Sequence, residues 1–434
     1  METYLQDLMA AQIRQGCTVE AIVHSAEPAA FDEAREIVLS DSGTSRQNAT
    51  SSEDEILTAR VTYAARWFNV GVVPIAPGFI FTCMRIIKRF KPDIIHVHHP
   101  NSSSAWLLLS LAARNIPWSA TWHSDVLTPQ SSLAMRWGYF FYRPIEKRLL
   151  GRAGRIFVTS PPYHACSSAL SQVSNSCVVI PLGLDRRRLP HPADVNGQPT
   201  VNDIAADSSN GKAVLKSADE ARFIAANPAG HTASPTASKT TVLYVGRLAK
   251  YKGTQLLLEA LQQLPDSTLW LVGDGAARLA WKNKVEELGI QDRVIFWGAV
   301  ENETLWRLYQ GCTLFCLPST DKAEAFGMVL LEAAHFHKPA VVADIPGSGV
   351  PWVAHKLGNC VVVPPNSAKA LAEGIEKLSR RVHANAGATD LASNTKASAT
   401  ALDSTFNLDK QAAQIIAEYE ALIKQRVNHT KPES

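Results

Sequence analysis

The apolar positions of this chain fall into two kinds of run. Short continuous runs of aliphatic and aromatic residues read as buried strands, and stretches whose apolar residues recur every three or four positions read as helices. Residues 2–14 place Leu5, Leu8 and Ile13 on one side, with Gly16 as a stop, and predict a helix. A strand over 18–23 follows. A helix over 78–90 leads into a strand over 92–98, and further strands are predicted over 117–122, 155–160 and 177–181. In the second half, strands are predicted from 241 and over 313–317, the latter closed by Pro318-Ser319. Beyond Gly327 the spacing of Met328, Leu331 and Phe336 turns helical, and 408–425 reads as a final amphipathic helix through Ala412, Ile415, Ile416, Tyr419 and Leu422. Strands alternating with helices predict parallel pairing in doubly wound sheets. Three segments lack periodicity: 41–55 reads as a polar loop, and 191–240 and 384–404 as mobile, solvated insertions.

A chain of 434 residues is long enough for two domains with separate cores, and 46% apolar with 19% charged residues describes an ordinary soluble globular protein. The formal net charge is only +3, yet 79–188 holds fourteen Lys or Arg against four acids. The helix with Arg85, Lys88, Arg89 and Lys91, and the aromatic run over 135–143, suit either an anionic membrane surface or solvated helix faces. No nucleic-acid motif accompanies the charge, so no nucleic-acid partner is expected. Seven cysteines, odd in number and mostly in apolar runs, suggest reduced core thiols, and Cys312 and Cys316 read as core packing, not metal ligands. The opening residues are polar without the apolar centre of a signal peptide, and no apolar run reaches the length of a membrane span. A cytoplasmic protein, with peripheral contact to the inner face of the cytoplasmic membrane as a further option, is the expectation.

The chemistry concentrates around 313–332, where a strand, a loop and a helix start follow one another. Open α/β sheets bind ligands at such places, because free amides and the positive end of the helix dipole meet an anion there. Glu324 and Glu332 lie on either side of the helix start, where two carboxylates can accept hydrogen bonds from two sets of ligand hydroxyls. The plain alternative is a dipole-favouring acid and a solvated glutamate. Arg247 and Lys252 follow another strand, near Gly246 and Gly253, and suit a phosphate by fork and point charge, or are solvated loop cations. His123 follows a strand directly, and Asp125 either orients it, meets a ligand, or forms a turn. His96, His98 and His99 end another strand; His96 and His98 share a sheet face, and a metal cluster is not expected.

The run Glu324-Ala-Phe-Gly-Met-Val-Leu-Leu-Glu332 resembles the Glu-x7-Glu motif of the retaining family 4 glycosyltransferases, which have the GT-B fold. Val242-Leu-Tyr-Val-Gly-Arg-Leu-Ala-Lys-Tyr-Lys-Gly253 resembles that family's phosphate-binding strand and loop, with Leu271-Val-Gly-Asp-Gly275 and Val294-Ile-Phe-Trp-Gly298 in the family's order between them. The resemblance implies an α/β protein of two Rossmann-like, doubly wound parallel-sheet domains facing a cleft. It implies that Arg247 and Lys252 bind a donor diphosphate, assisted by Gly246 and by amides near Phe326, Gly327, Met328, Val329 and Leu330. Glu324 would face the donor sugar, Glu332 the ribose, and His123 the sugar near its anomeric centre. Gly273 and Gly275 would let the chain pass close to the ligand, and Trp297 and Gly298 would border the base, with Trp297 also readable as core. No metal is expected, and no Asp-x-Asp signature is seen.

Thr121-Trp-His-Ser-Asp125 and Val179-Ile-Pro-Leu-Gly-Leu-Asp185 look like bacterial mannosyl- and glucosyltransferases of cell-surface polysaccharide, acting on lipid-linked acceptors. GDP-mannose is the leading donor, with UDP-sugars behind it. The implied organisation is a first, acceptor-side domain over 1–185, a linker over 186–240, a nucleotide-sugar domain over 241–407, and a helix over 408–427 returning to the first domain. The family's opening strand and glycine loop, which sit mid-sheet, have no counterpart ahead of the first helix. The expectation is that Met1 is internal to a longer chain and that two strands carry unpaired backbone. Two other readings stand: a GT-B sugar-nucleotide epimerase, against which the Glu-x7-Glu pattern argues, and a nucleotide-binding protein without transferase activity.

Overall fold

The computed structural model describes residues 2–25, 31–39, 57–70, 73–76, 78–127, 133–195, 197, 240–384 and 389–430. The loop expected over 41–55 and nearly all of the 191–240 insertion lie outside the described residues. The chain divides into two compact units, one made of Met1–Arg188 with Thr405–Ser434, the other of Leu189–Ser404.

The first unit runs α1 (Glu2–Arg14), β1 (Glu20–His24), β2 (Glu33–Leu39), β3 (Leu57–Ala64), β4 (Phe68–Val70), β5 (Val73–Ile75), α2 (Phe79–Phe90) and β6 (Ile95–His99). It continues with a 3-10 helix over Ser102–Leu109, α3 (Leu111–Arg114), β7 (Trp118–Trp122), α4 (Leu133–Arg152), β8 (Arg155–Val158), α5 (Pro161–Cys166) and β9 (Cys177–Val179). The described strands form three sheets, ordered β1-β3-β2, β4-β5 and β6-β7-β8-β9. The last of these is parallel throughout. Uniformly parallel pairing does not hold elsewhere, because β2 pairs antiparallel with β3, and β4 with β5. β2 escapes a pattern-based reading because Glu-Ala-Arg-Glu interrupts its apolar positions, and its first four residues are exposed. Ala64, Phe79, Val97, Trp118 and Leu149 knit α2 and α4 to the strands in one apolar cluster.

The second unit begins with β10 (Thr240–Val245), α6 (Thr254–Gln262), β11 (Ser267–Val272), α7 (Arg278–Glu287), β12 (Val294–Gly298) and α8 (Asn302–Gly311). Then come β13 (Leu314–Leu317), α9 (Met328–His335), β14 (Ala340–Ala343), α10 (Val350–Leu357), β15 (Cys360–Val363), α11 (Ala368–Ala384) and α12 (Thr389–Ser404). Its six strands lie in the order β12-β11-β10-β13-β14-β15, and every neighbouring pair is parallel. Helices on both faces explain the continuous apolar runs: β13 and β14 are buried at every position. The strand order reverses between β10 and β13, which opens a crevice at their carboxyl ends.

Within the segment expected to be a solvated insertion, residues 389–404 are not one. α12 occupies Thr389–Ser404, with Ser398, Ala401 and Leu402 buried and the Ser398 hydroxyl donating to the Leu357 carbonyl at 2.9 Å. Its Ala-, Ser- and Thr-rich sequence needs only a narrow buried stripe to dock.

The chain then closes the first unit with α13 (Leu408–Thr430). Arg14, at the end of α1, donates to Asp185 Oδ2 at 3.0 Å and to Asp409 Oδ1 at 2.9 Å. Arg187 also pairs with both carboxylates, so two guanidinium groups and two acids tie the first helix, the 185–188 turn and the last helix together. Arg155 adds a pair with Glu418 at 2.6 Å. Replacing Arg14 by Ala leaves Asp185, 7% exposed, facing one cation instead of two. A loss of about 1–3 kcal/mol in urea unfolding is expected, between the surface and buried limits for ion pairs; unchanged stability would show that the network is incidental.

Candidate active site

β10 and β13 deliver two loops to the crevice, and those loops are bonded to each other. The Thr320 amide and hydroxyl both donate to the Tyr251 carbonyl, at 2.8 and 3.1 Å. At this junction Lys252 Nζ donates to Glu324 Oε2 at 2.5 Å, and Ser319 Oγ donates to the same oxygen at 3.0 Å. Glu324 is 8% exposed. Burial alone would lower the Lys252 ammonium, but the Glu324 carboxylate more than offsets it and holds the lysine above its ordinary value. The backbone carbonyl of Glu324 accepts from Ser348 Oγ, and the Gly349 amide donates to the Ala325 carbonyl at 2.9 Å. The 324–325 segment is therefore pinned from two sides.

Gly327 follows as the N-cap of α9, at φ 80°, a left-handed conformation that glycine adopts without steric cost. It turns the chain so that α9 begins at the crevice, with the first amides of the helix at its dipole-positive end. Phe326 and Leu330 are buried at 3% and 1%, so their side chains serve the core and only backbone amides there can meet a ligand. Glu332, one turn on, accepts from the Tyr309 hydroxyl at 2.9 Å; Tyr309 stacks on Phe336 with ring centroids 5.4 Å apart. Lys252 Nζ also stands 3.9 Å from where a Cβ on Gly246 would lie, while Arg247 is exposed on the same loop. The structure thus brings together Gly246, Arg247, Lys252, Glu324 and the start of α9.

Other residues named from the sequence support the loops. A Cβ at Gly273 would lie 2.2 Å from the Gly246 carbonyl oxygen, and one at Gly275 2.4 Å from that of Leu248, so both glycines let chain segments approach closely. They seat the β11 loop against the Gly246 loop. Trp297 is core, 3% exposed and edge-on to Trp270, so its indole is not a surface for a base. Gly298 supports the same loop, its carbonyl accepting from the Gly273 amide at 2.6 Å. The Asp125 carboxylate accepts from Trp122 Nε1 at 3.1 Å and Ser167 Oγ at 2.6 Å.

His123 stands in the first unit, 6% exposed, with Nε2 3.0 Å from His98 Nδ1. His98 stacks on His96 at 4.5 Å between centroids, and His96 meets Thr121 Oγ1 at 2.8 Å and the Tyr419 hydroxyl. Burial first, then mutual repulsion, pushes His96 and His123 well below the ordinary histidine range, and His98 to about 4. One of the two facing nitrogens in the His98–His123 contact must carry the proton, and a neutral pair supplies it. Sequence reasoning missed Ser319, Ser348, Tyr309 and His98 as members of these constellations. Only His98 gave a signal, through its spacing from His96.

A histidine held neutral in the fold but free to charge when unfolded makes the unfolded state bind more protons. Stability is then full above the unfolded value near 6.5 and falls as pH drops toward about 4. Each such group costs about 1.4 kcal/mol per pH unit in that window. Urea unfolding at pH 7.5 and pH 5 is expected to show the fall, and His98→Gln to reduce it; a flat profile would refute the neutral cluster.

Comparison with known proteins gives the same division. Residues 1–188 match the family described as Glycosyltransferase Family 4, and residues 233–388 that described as Glycosyl transferases group 1. The O-antigen chain mannosyltransferase C of Escherichia coli is 28% identical over 331 residues, 74% of each chain. The D-rhamnosyltransferase WbpZ of Pseudomonas aeruginosa is 27% identical over 304 residues, 68% of each. Among solved structures, the sucrose-phosphate synthase of Thermosynechococcus elongatus superposes with a TM-score of 0.64 at 21% identity, covering 97% of this chain and 93% of its own.

Proposed function

Because the chain belongs to the glycosyltransferases of GT-B fold, we propose that it is a retaining hexosyltransferase using a nucleotide-diphosphate sugar, with GDP-mannose the leading donor. The acceptor would be a saccharide, lipid-linked or free, in cell-surface polysaccharide synthesis, as the names of its two relatives suggest. The observation that carries the reading is the buried Lys252–Glu324 pair beside the start of α9, at the point where the strand order reverses.

Cleaving the anomeric bond puts charge on the departing diphosphate. Lys252, Arg247 and the first amides of α9 would meet that charge, strengthening as it develops. Glu324 would exchange part of its bond to Lys252 for the donor sugar hydroxyls, while Glu332, oriented by Tyr309, would take the ribose. In the first unit, His123, kept neutral, can accept or donate one hydrogen bond. The departing phosphate would take the acceptor proton on the same face, so configuration is retained without a protein nucleophile. In this reading these groups would supply the positive charge themselves.

Thermal unfolding with GDP, UDP and ADP tests the donor. A ligand at a hundredfold over its Kd adds about 2.7 kcal/mol, so selective stabilisation by GDP is expected. Stabilisation by UDP alone would move the donor to a UDP-sugar, and none with any nucleotide would overturn the site. Glu324→Gln should cut kcat by about a hundredfold or more while nucleotide stabilisation persists, and product anomer configuration read by NMR should match the donor's.

A membrane-facing acceptor has support in α4. Leu133, Trp137, Phe140 and Phe141 recur on one side of this helix and are exposed, Trp137 at 69% and Phe141 at 69%. Arg136, Arg143, Lys147 and Arg148 flank them, the pattern of an interfacial helix on anionic lipid. Among the described residues no helix is long and apolar enough to cross a membrane. Flotation with anionic vesicles at low salt is expected to carry the protein, and Trp137→Ser with Phe141→Ser to abolish this without changing turnover of a soluble acceptor. Equal flotation of the double variant would rule out α4.

A further inference from the structure

Helix α4 has a second face. By helical period, Met135, Gly138, Tyr139 and Tyr142 lie on the side opposite Leu133, Trp137, Phe140 and Phe141. Those first four residues line a cavity of about 1690 Å³ in the first unit. His98, Asn101 and Ser104 line it too, from the carboxyl end of β6 and the 3-10 helix after it, against which α4 packs. Open parallel sheets bind ligands beyond the carboxyl ends of their strands.

The polar groups here are held in place but not all engaged. The Tyr139 hydroxyl donates to Glu146 Oε2 at 2.5 Å, and Glu146 is 2% exposed, so the ring is anchored while its oxygen can still accept. Tyr142, its ring centroid 6.3 Å away, has a buried hydroxyl with no hydrogen-bond partner among the described residues. Buried hydroxyls ordinarily have one. Asn101 Oδ1 accepts from the Ser103 amide at 3.0 Å, and His98 is half-buried and held by His123. Gly138 adds an independent sign. Glycine inside a helix is destabilising relative to alanine, and no described atom outside its own helix turn lies within 4 Å of where a Cβ would stand. The missing side chain therefore makes room for something other than the chain, as glycine does where backbone and ligand approach closely.

Charge narrows the occupant. Among the described lining residues the one Lys or Arg is Lys91, which precedes β6 and so stands at the other end of that strand, whereas Asp125 follows β7 and lines the carboxyl end. An anion would meet a carboxylate and no cation there. Two tyrosine rings with a few neutral donors and acceptors suit a neutral polyol.

We infer that this end of the cavity is a saccharide pocket, in which Tyr139, Tyr142 and His98 hydrogen-bond the hydroxyls of one neutral sugar ring lying over Gly138. Its role as the acceptor's pocket rests on the transferase reading. One helix would then meet both parts of a lipid-linked acceptor, the sugar on its inner face and the lipid surface on its outer one.

The test titrates the full chain with methyl α-D-mannopyranoside, followed by saturation-transfer NMR, with GDP stabilisation read in parallel. Binding to the unaltered chain is expected. Gly138→Leu should weaken it roughly tenfold or more by filling the space, and Tyr142→Phe about three- to tenfold, the worth of one hydrogen bond. Leucine is the better helix former, so Gly138→Leu should melt no lower than the unaltered chain; if it fails to fold, Tyr142→Phe decides alone. No binding to the unaltered chain, or unchanged binding in either folded variant, would overturn the pocket. Binding that follows these variants without any GDP stabilisation would sink the donor reading and still support the pocket.

Discussion

The second unit depends on a carboxylate and an ammonium that cannot be separated cheaply. Lys252 and Glu324 come from loops after different strands and meet at 2.5 Å, with Glu324 8% exposed. Removing one partner would strand a charge in a poorly solvated place, at a cost of several kcal/mol. The pair exists only because β10 and β13, distant in sequence, are neighbours in the sheet. It couples the cation that suits a phosphate to the carboxylate that suits a polyol, so the two halves of a sugar nucleotide would be met by one bonded group.

The first unit solves a related problem with neutral groups. Four histidines near the ends of β6 and β7 would repel one another if charged, and burial keeps them uncharged. Three of them, His96, His98 and His123, are left with directional hydrogen bonds, which fix ring planes without carrying a field. Charge in this unit gathers at the junction of Arg14, Arg187, Asp185 and Asp409, where it holds helices in place.

Long periodic helices and continuous apolar strands were legible in the chain. α1, α2, β10 and β13 follow directly from the spacing of their apolar residues, whereas β14 and β15 were not read from it. β2 was not, because one face is wet and its charged residues break the run. α12 was hidden by small residues, whose docking depends on a partner surface that sequence spacing does not reveal. At the site, Glu324, Lys252 and Gly327 were readable because loop residues after strands carry chemistry. Ser319 and Ser348 were not, since a serine announces a hydrogen bond but never its partner. Trp297 was readable both ways, as base contact or core, and its burial and edge-on contact with Trp270 place its indole in the core.

The return of α13 sets an order of events during synthesis. The first unit is completed by residues 405–430, which leave the ribosome only after the whole second unit, Leu189–Ser404, has been made. At translation speeds of roughly 5–20 residues per second, that interval lasts on the order of tens of seconds. Throughout it, Arg14 and Arg187 have one acid fewer, and Gln12 and His96 have yet to meet Tyr419. The second unit can finish first although it is encoded later, and the nascent first unit is the part that needs shelter.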